Sequence, residues 1–293
     1  ARTKGHTLPL VTRYTPRELN NGSLREAATR HSYSDKDILV AEDNPVNREV
    51  LAAMLANYGI EPDIVENGNL AVEAARNKRY DLILMDCQMP EMDGFEATSS
   101  LRQDPRTQDT PIVALTAFAM KGDREKCIAA GMNDYLSKPI HEGELEKMLH
   151  KWLDDNGDHH HSGPMLAPPA PAAAPEVAIN HTTLDRLKTV AGMQFETILN
   201  TFCDNCTKLM QDIEAALAAT DLPALSAAAH SFKSTAGQLG AEKLATILST
   251  IDEAARQDRP PGPALILALK AEKARVDEDL ERYRQGTPPA HQA

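Results

Sequence analysis

Five side chains in the first half of the chain, Glu42, Asp43, Asp86, Thr116 and Lys138, are of the types that handle a phosphoryl group. From Asp43 to Asp86, to Thr116, to Lys138 the separations are 43, 30 and 22 residues. Three carboxylates brought together repel by several kcal/mol per pair at an effective dielectric of about 20. Such a site is stable and useful mainly with a divalent cation, and a purely oxygen donor set points to Mg²⁺. The cation, the Lys138 ammonium and the Thr116 hydroxyl would neutralise the equatorial oxygens of a transferring phosphoryl group, leaving one carboxylate free to attack. An aspartyl phosphate is an established kind of covalent intermediate.

A second candidate lies in the run AAHSFKSTAGQLGA, residues 228–241. On a helix, successive residues turn by about 100°. Leu225, Ala228, Ala229, Phe232, Ala236 and Leu239 then share one apolar side. His230 is expected about 200° away from Phe232 and in solvent. Lys233, Ser234 and Gly237 follow the histidine at steps of three, four and seven and share its face. An exposed imidazole near its ordinary pKa is neutral and nucleophilic at pH 7. A neighbouring ammonium balances phosphoryl charge, and a small residue two turns along gives clearance to another protein's surface.

These residues need elements to hold them. Short aliphatic runs, Ile38–Ala41, Asp63–Val65, Leu82–Met85, Ile112–Leu115 and Tyr135–Leu136, alternate with amphipathic segments such as Val46–Tyr58 and Leu70–Arg76. That order predicts βαβ units, a parallel sheet and helices on both faces. The expected fold is an α/β doubly wound, five-stranded flavodoxin-like domain. Asp43, Asp86, Thr116 and Lys138 follow the first, third, fourth and fifth strands, so they gather at the carboxyl edge, where open α/β sheets place their sites. Asn44-Pro45 reads as an N-cap and first-turn proline directly after the acidic pair.

From Asp154 to Val177 the chain is rich in Pro, Ala and Gly with no period, which predicts a linker. His159–His161 within it read as solvated linker rather than a metal site. Beyond, apolar residues recur at helical steps: Phe195, Ile198, Phe202, Cys206, Leu209, Ile213 and Leu217; then Leu244, Ile247, Ile251 and Ala254; then Leu265, Leu269, Val276, Leu280 and Tyr283. This predicts a separate all-α bundle. Cys203 and Cys206 stand alone as CDNC, and Cys206 falls on the core stripe, so it reads as a buried structural thiol. The expected division is 1–34 connector, 35–153 α/β domain, 154–177 linker, 178–286 bundle and 287–293 tail.

The 293 residues suit about two domains. Aromatics make up only 4%, so both cores must be aliphatic and alanine-rich. A net charge of -12 argues against nucleic acid as a partner. Four scattered cysteines and the lack of a signal-peptide pattern suit a reducing, cytoplasmic setting. No apolar run approaches the roughly 20 residues of a membrane helix, so no membrane contact is expected of this segment. The chain starts at Ala1, and residues 1–34, modestly basic and without a clear period, are expected to connect to an upstream domain of a longer protein.

AEDNPVN, LMDCQMPEMDG, ALTA and LSKP together resemble the response-regulator receiver domain, over nearly all of the first domain. The resemblance implies Asp86 as phosphate acceptor, and Glu42 and Asp43 holding Mg²⁺ with Asp86 and the backbone carbonyl of Gln88. It implies that Thr116 and Lys138 contact the phosphoryl group and that Tyr135 is the aromatic switch residue paired with Thr116. Glu42 stands where many receivers have Asp. Gln88 and Phe118 occupy positions that tune dephosphorylation in the family.

The run around His230 resembles the histidine-phosphotransfer (Hpt) domain, a helical bundle with a phosphoacceptor histidine, over about residues 177–283. Carried over, His230 is the acceptor, with Lys233, Gln238 and Gly237 in support; Ser234 stands where the family often has Gly. A kinase dimerisation histidine is followed by Glu and a nearby Pro, whereas Ser231 follows His230, and the ATP-binding boxes are missing from this sequence. The whole resembles the carboxyl-terminal part of a hybrid sensor histidine kinase, its parent possessing the kinase activity and a possible anchor in the inner membrane. The implied partners are an upstream histidine kinase domain, expected in the same parent chain, and a downstream response-regulator receiver. Phosphate would pass to Asp86, then His230, then that regulator, and a 24-residue linker reaching about 70 Å as polyproline II permits exchange within one chain. The rival readings are a phosphorylation-dependent interaction switch and a phosphate sink without onward relay.

Overall fold

The computed structural model describes residues 12–13, 32–116, 121–154 and 178–286. Phe118, His159–His161, most of residues 1–34, residues 155–177 and residues 287–293 lie outside them. The chain divides into two compact units.

In the first unit the parallel strands are β2 (Ile38–Ala41), β3 (Asp63–Val65), β4 (Leu82–Asp86), β5 (Ile112–Thr116) and β6 (Asp134–Ser137). The sheet order is β3-β2-β4-β5-β6, and an additional short strand β1 (Thr12–Arg13) pairs antiparallel with β3. The sequence of residues 1–34 carries no periodic signal for β1, because two residues are too few to establish a period of two. Between the strands run α1 (Pro45–Ala56), α2 (Gly68–Asn77), α3 (Gly94–Gln103), α4 (Lys121–Ala129) and α5 (Glu142–Leu153). Every residue of β2, β4 and β5 is buried, as expected where helices cover both faces of a parallel sheet. Leu39, Ile83, Met85, Ala97, Leu101, Ile112 and Ala114 form much of the core on one face.

The strands extend further than their apolar runs. Asp86 is the last residue of β4 and pairs with Leu115, and Thr116 is the last of β5 and pairs with Ser137. The hydrophobic pattern stops where side chains turn polar, whereas the backbone ladder continues. Helix starts follow side-chain capping: Asn67 Oδ1 accepts the Leu70 N–H at 2.9 Å and Asp93 Oδ1 accepts the Glu96 N–H at 2.8 Å. Pro45 opens α1, and Asn44 Oδ1 accepts the Val46 N–H at 3.0 Å.

The second unit is all-helical: α6 (His181–Ala191), α7 (Phe195–Ala219), α8 (Leu222–Gln238), α9 (Glu242–Arg256) and α10 (Pro263–Arg284). A 3-10 turn over Gly192–Gln194 joins α6 to α7. Phe202 and Phe232 are fully buried at the centre, and Cys206 is 1% exposed. The α9 stripe differs from expectation. Leu244, Leu248, Ile251 and Ala255 are buried, while Ile247 and Ala254 are half-buried. Steps of three and four leave two adjacent registers open, and packing selects the one that brings Asp252 inside. Among the described residues, no helix is long and apolar enough to cross a membrane.

Candidate functional site

Parallel register carries β2, β4, β5 and β6 to one carboxyl edge, and the sequence-chosen residues of the first unit assemble there. Glu42 and Asp43 follow β2, with the Glu42 N–H donating to the Val65 carbonyl at 3.1 Å. Glu42, Asp43 and Asp86 each offer an oxygen, and these atoms lie within 4.8 Å of one another. Lys138 Nζ stands 2.6 Å from Glu42 Oε2 and 2.7 Å from Asp86 Oδ2. Its backbone N–H donates to the Thr116 carbonyl at 2.7 Å, which fixes the root of this side chain against the end of β5. The Lys138-Pro139 peptide is cis.

The electrostatics follow from burial and like charge. Burial first, then Glu42 and Asp43, push the Asp86 carboxyl well above the usual range, against the opposing pull of Lys138. Burial alone would depress the Lys138 ammonium, but Asp86 and Glu42 outweigh it and hold it above its ordinary value. One ammonium therefore faces more than one carboxylate, and the all-oxygen donor set fits a hard divalent cation such as Mg²⁺. The Gln88 N–H donates to Asp86 Oδ1 at 3.1 Å, placing the Gln88 backbone beside the acceptor. Thr116 is buried, and Tyr135 is half-buried against the core face of the sheet.

Gly94 is a site residue that the sequence reading passed over. A Cβ there would lie 2.1 Å from the Asp86 carbonyl oxygen, and its N–H donates to the Cys87 carbonyl at 3.2 Å. The α3 start presses so closely on the end of β4 that no side chain fits. The signal was the MDG at residues 92–94, whose aspartate caps the helix.

In the second unit α8 carries His230, Lys233, Ser234, Gly237 and Gln238 together. The expected full exposure of His230 is not what the structure has: its side chain is 16% exposed and leans towards α9, where Nδ1 lies 3.5 Å from Asp252 Oδ2. The helical wheel sets a direction from the axis but is blind to the neighbouring helix that receives the ring. Asp252 is buried and also accepts from Ser226 Oγ at 2.6 Å and Arg256 Nε at 2.8 Å. Burial alone would raise this carboxyl, but the neighbouring His230, Arg256 and Ser226 outweigh it and hold it well below the usual carboxylate range. Burial lowers the Lys233 ammonium, with Asp252 acting in opposition. Gln238 is buried at the last turn of α8, and a Cβ on Gly237 would meet nothing within 4 Å. Among the described residues, no contact requires Gly237 to be glycine.

Asp252 was missed because the stripe Leu244, Ile247, Ile251, Ala254 puts it off the core face. In the observed register an acidic residue interrupts an apolar stripe, and that is the mark of a buried charge with dedicated partners.

Comparison with known proteins finds two modules in the chain. Residues 38–150 match the response regulator receiver domain and residues 197–286 match the Hpt domain. The signal transduction histidine-protein kinase BarA of Shigella flexneri is 31% identical over 225 residues, which is 75% of this chain and 24% of BarA. The sensor protein GacS of Pseudomonas syringae pv. syringae is 43% identical over 118 residues, 39% of this chain and 13% of GacS. Among solved structures, the receiver domain of sensor histidine kinase PA1611 from Pseudomonas aeruginosa PAO1, described with a magnesium ion coordinated in its active site cleft, is 49% identical. That match covers 40% of this chain and 96% of the other, with a TM-score of 0.38. The chain is a receiver domain followed by an Hpt domain, homologous to the hybrid sensor kinases BarA and GacS. It spans between 13% and 24% of the length of these two relatives.

Proposed function

We propose that the chain relays a phosphoryl group from a histidine kinase through Asp86 and His230 to a separate response regulator. The observation that carries this reading is the Asp86 carboxylate held between Lys138 at 2.7 Å and the carboxylates of Glu42 and Asp43. In the first step an Asp86 oxygen attacks the phosphorus of a phosphohistidine, an O–P bond forms, the N–P bond breaks, and the electron pair returns to the donor imidazole. Lys138 and Thr116 stabilise the equatorial oxygens, and Tyr135 responds to the loaded state with Thr116. Glu42, Asp43, Asp86 and the Gln88 carbonyl would hold Mg²⁺, which when bound neutralises negative charge on the phosphoryl oxygens.

In the second step Nε2 of His230 attacks the phosphorus, an N–P bond forms, the O–P bond to Asp86 breaks, and the electron pair returns to the Asp86 carboxylate. Asp252 beside Nδ1 favours the tautomer with its proton there, leaving the Nε2 lone pair for phosphorus. Lys233 balances phosphoryl charge, Gln238 supports the turn, and Gly237 leaves clearance for an incoming receiver. Residues 35–153 and 178–286 are the two working domains, with 1–34, 154–177 and 287–293 as connector, linker and tail. The parent is a hybrid kinase that supplies the donor histidine, and this segment works on the cytoplasmic side of the inner membrane that anchors it.

The test is to load the full chain with a labelled small-molecule phosphodonor and Mg²⁺ and to follow acyl phosphate and phosphohistidine by their opposite stabilities to base and acid. Label appearing on Asp86 and then on His230 supports the relay. Label that stays on Asp86, or is released to water with no phosphohistidine formed, overturns it.

A further inference from the structure

Tyr33 precedes the first parallel strand and His150 and Asp154 end the last helix, yet the three side chains meet. The Tyr33 hydroxyl lies 2.8 Å from Asp154 Oδ1 and 2.9 Å from His150 Nδ1, and that same nitrogen lies 3.1 Å from Asp154 Oδ2. A phenol has one hydrogen. Tyr33 therefore donates it to Asp154 and accepts from His150, whose Nδ1 must carry a proton. The phenol is buried, and burial together with Asp154 pushes its pKa far up, so it stays a donor at every physiological pH. The His150 and Tyr33 rings lie in a T-shaped arrangement, with 6.1 Å between centroids and 73° between planes.

The backbone around Tyr33 is fastened as well. Its N–H donates to the Tyr58 carbonyl at 2.8 Å and its carbonyl accepts from the Lys36 N–H at 3.0 Å. Ser32 crosses Gly59 so closely that a Cβ on that glycine would lie 2.9 Å from the serine oxygen, and Gly59 has a φ of 75°. The connector touches the same domain at an earlier point too, where β1 pairs Thr12 with Ile64 and Arg13 with Asp63 on the edge strand. A spacer would need none of these contacts.

The location gives the triad its meaning. Asp86 ends a parallel strand and Tyr33 lies before the start of one, so the triad sits at the sheet edge opposite the phosphoacceptor. Asp154 is the C-cap of α5, its own N–H 3.4 Å from the His150 carbonyl, and the linker begins there. We propose that Tyr33, His150 and Asp154 form a junction that binds the incoming connector to the root of the outgoing linker, so that loosening either strand of chain loosens the other. This does not depend on the relay reading, since it concerns how the receiver domain is joined to its flanks.

Coupling of this kind is reciprocal. Amide hydrogen exchange on the full chain tests it. Tyr33→Phe, which keeps the ring and removes the bonds, is expected to speed exchange at Lys151–Asp154 about five- to tenfold. Asp154→Asn, made at the other end, is expected to speed exchange at Tyr33 and Lys36 by a similar factor. The buried strands β4 and β5 should exchange as in the wild type in both variants. Exchange that rises only on the mutated side overturns the junction, as does a uniform rise across β4 and β5, which would report general destabilisation. His150→Gln supplies a third arm should Tyr33→Phe fail to fold: it leaves the Tyr33–Asp154 bond and is expected to produce a smaller rise at both ends, and no rise at either end counts against the proposal.

Discussion

Asp252 Oδ2 lies 3.5 Å from Nδ1 of His230, across the packed faces of α8 and α9. The carboxylate has three neighbours at once: the imidazole, the Ser226 hydroxyl and the Arg256 guanidinium. It is a buried anion that accepts from Ser226 and Arg256 and lies beside the imidazole. Asp252→Asn keeps the shape but removes the charge that fixes the tautomer. We expect phosphotransfer to and from His230 to slow by about tenfold or more, the scale of losing about 1.4 kcal/mol of differential stabilisation. Rapid-quench measurement of phosphohistidine formation checks this. An unchanged rate would mean that Asp252 only supports the bundle.

The same carboxylate predicts an acid limb in the stability of the Hpt domain. Its pKa is depressed in the folded state, so its contribution is present above the unfolded carboxylate value of about 3.9 and is lost as pH falls from there towards the folded value. Thermal melts of the second domain between pH 7 and pH 3 should show wild type losing stability below about pH 4 more steeply than Asp252→Asn. At pH 7 the variant should be the less stable by about 1–3 kcal/mol, because Arg256 and Ser226 lose a charged partner. Parallel curves over the whole range would contradict this.

At the receiver site the sign reverses. Asp86 is buried beside Glu42 and Asp43, so its charge is disfavoured in the fold without a cation. Asp86→Asn is expected to melt at or slightly above the wild type in chelator. Added Mg²⁺ should raise the wild-type melting temperature and leave the variant nearly unmoved, since a ligand stabilises only the state that binds it. Scanning calorimetry with and without Mg²⁺ decides the matter. A wild type indifferent to Mg²⁺ at millimolar concentration would remove the cation from the proposed site.

The parallel sheet, the bundle and most of the carboxyl-edge residues were legible because each rests on a repeat or a spacing: aliphatic runs between helical segments, and polar residues immediately after them. Besides Gly94, three things escaped, each for its own reason. β1 is too short to have a period. Asp252 and the tilt of His230 depend on which of two adjacent registers α9 adopts, and only packing against α8 and α10 decides that. Tyr33 looked like connector because its partners, His150 and Asp154, lie more than a hundred residues away, and no local pattern encodes a hydrogen bond at that separation.

Two glycines make opposite predictions and separate packing from approach. At Gly94 a Cβ would sit 2.1 Å from the Asp86 carbonyl oxygen, which is backbone and cannot swing aside. Gly94→Ala must therefore displace either the end of β4 or the start of α3. We expect a loss of about 1–3 kcal/mol, the range for overpacking a tight site, together with slower phosphorylation of Asp86 because the acceptor moves. At Gly237 the added methyl group would meet nothing within 4 Å, and alanine suits a helix better than glycine by up to about 1 kcal/mol. Gly237→Ala should then melt no lower than the wild type. If the glycine serves an incoming receiver, the variant should nonetheless slow transfer between His230 and a receiver supplied in trans, through weaker binding rather than slower chemistry at saturation. Transfer at the wild-type rate at every receiver concentration would leave Gly237 without the proposed role, while a lower melting temperature would show that its surroundings are tighter than the open space around its Cα.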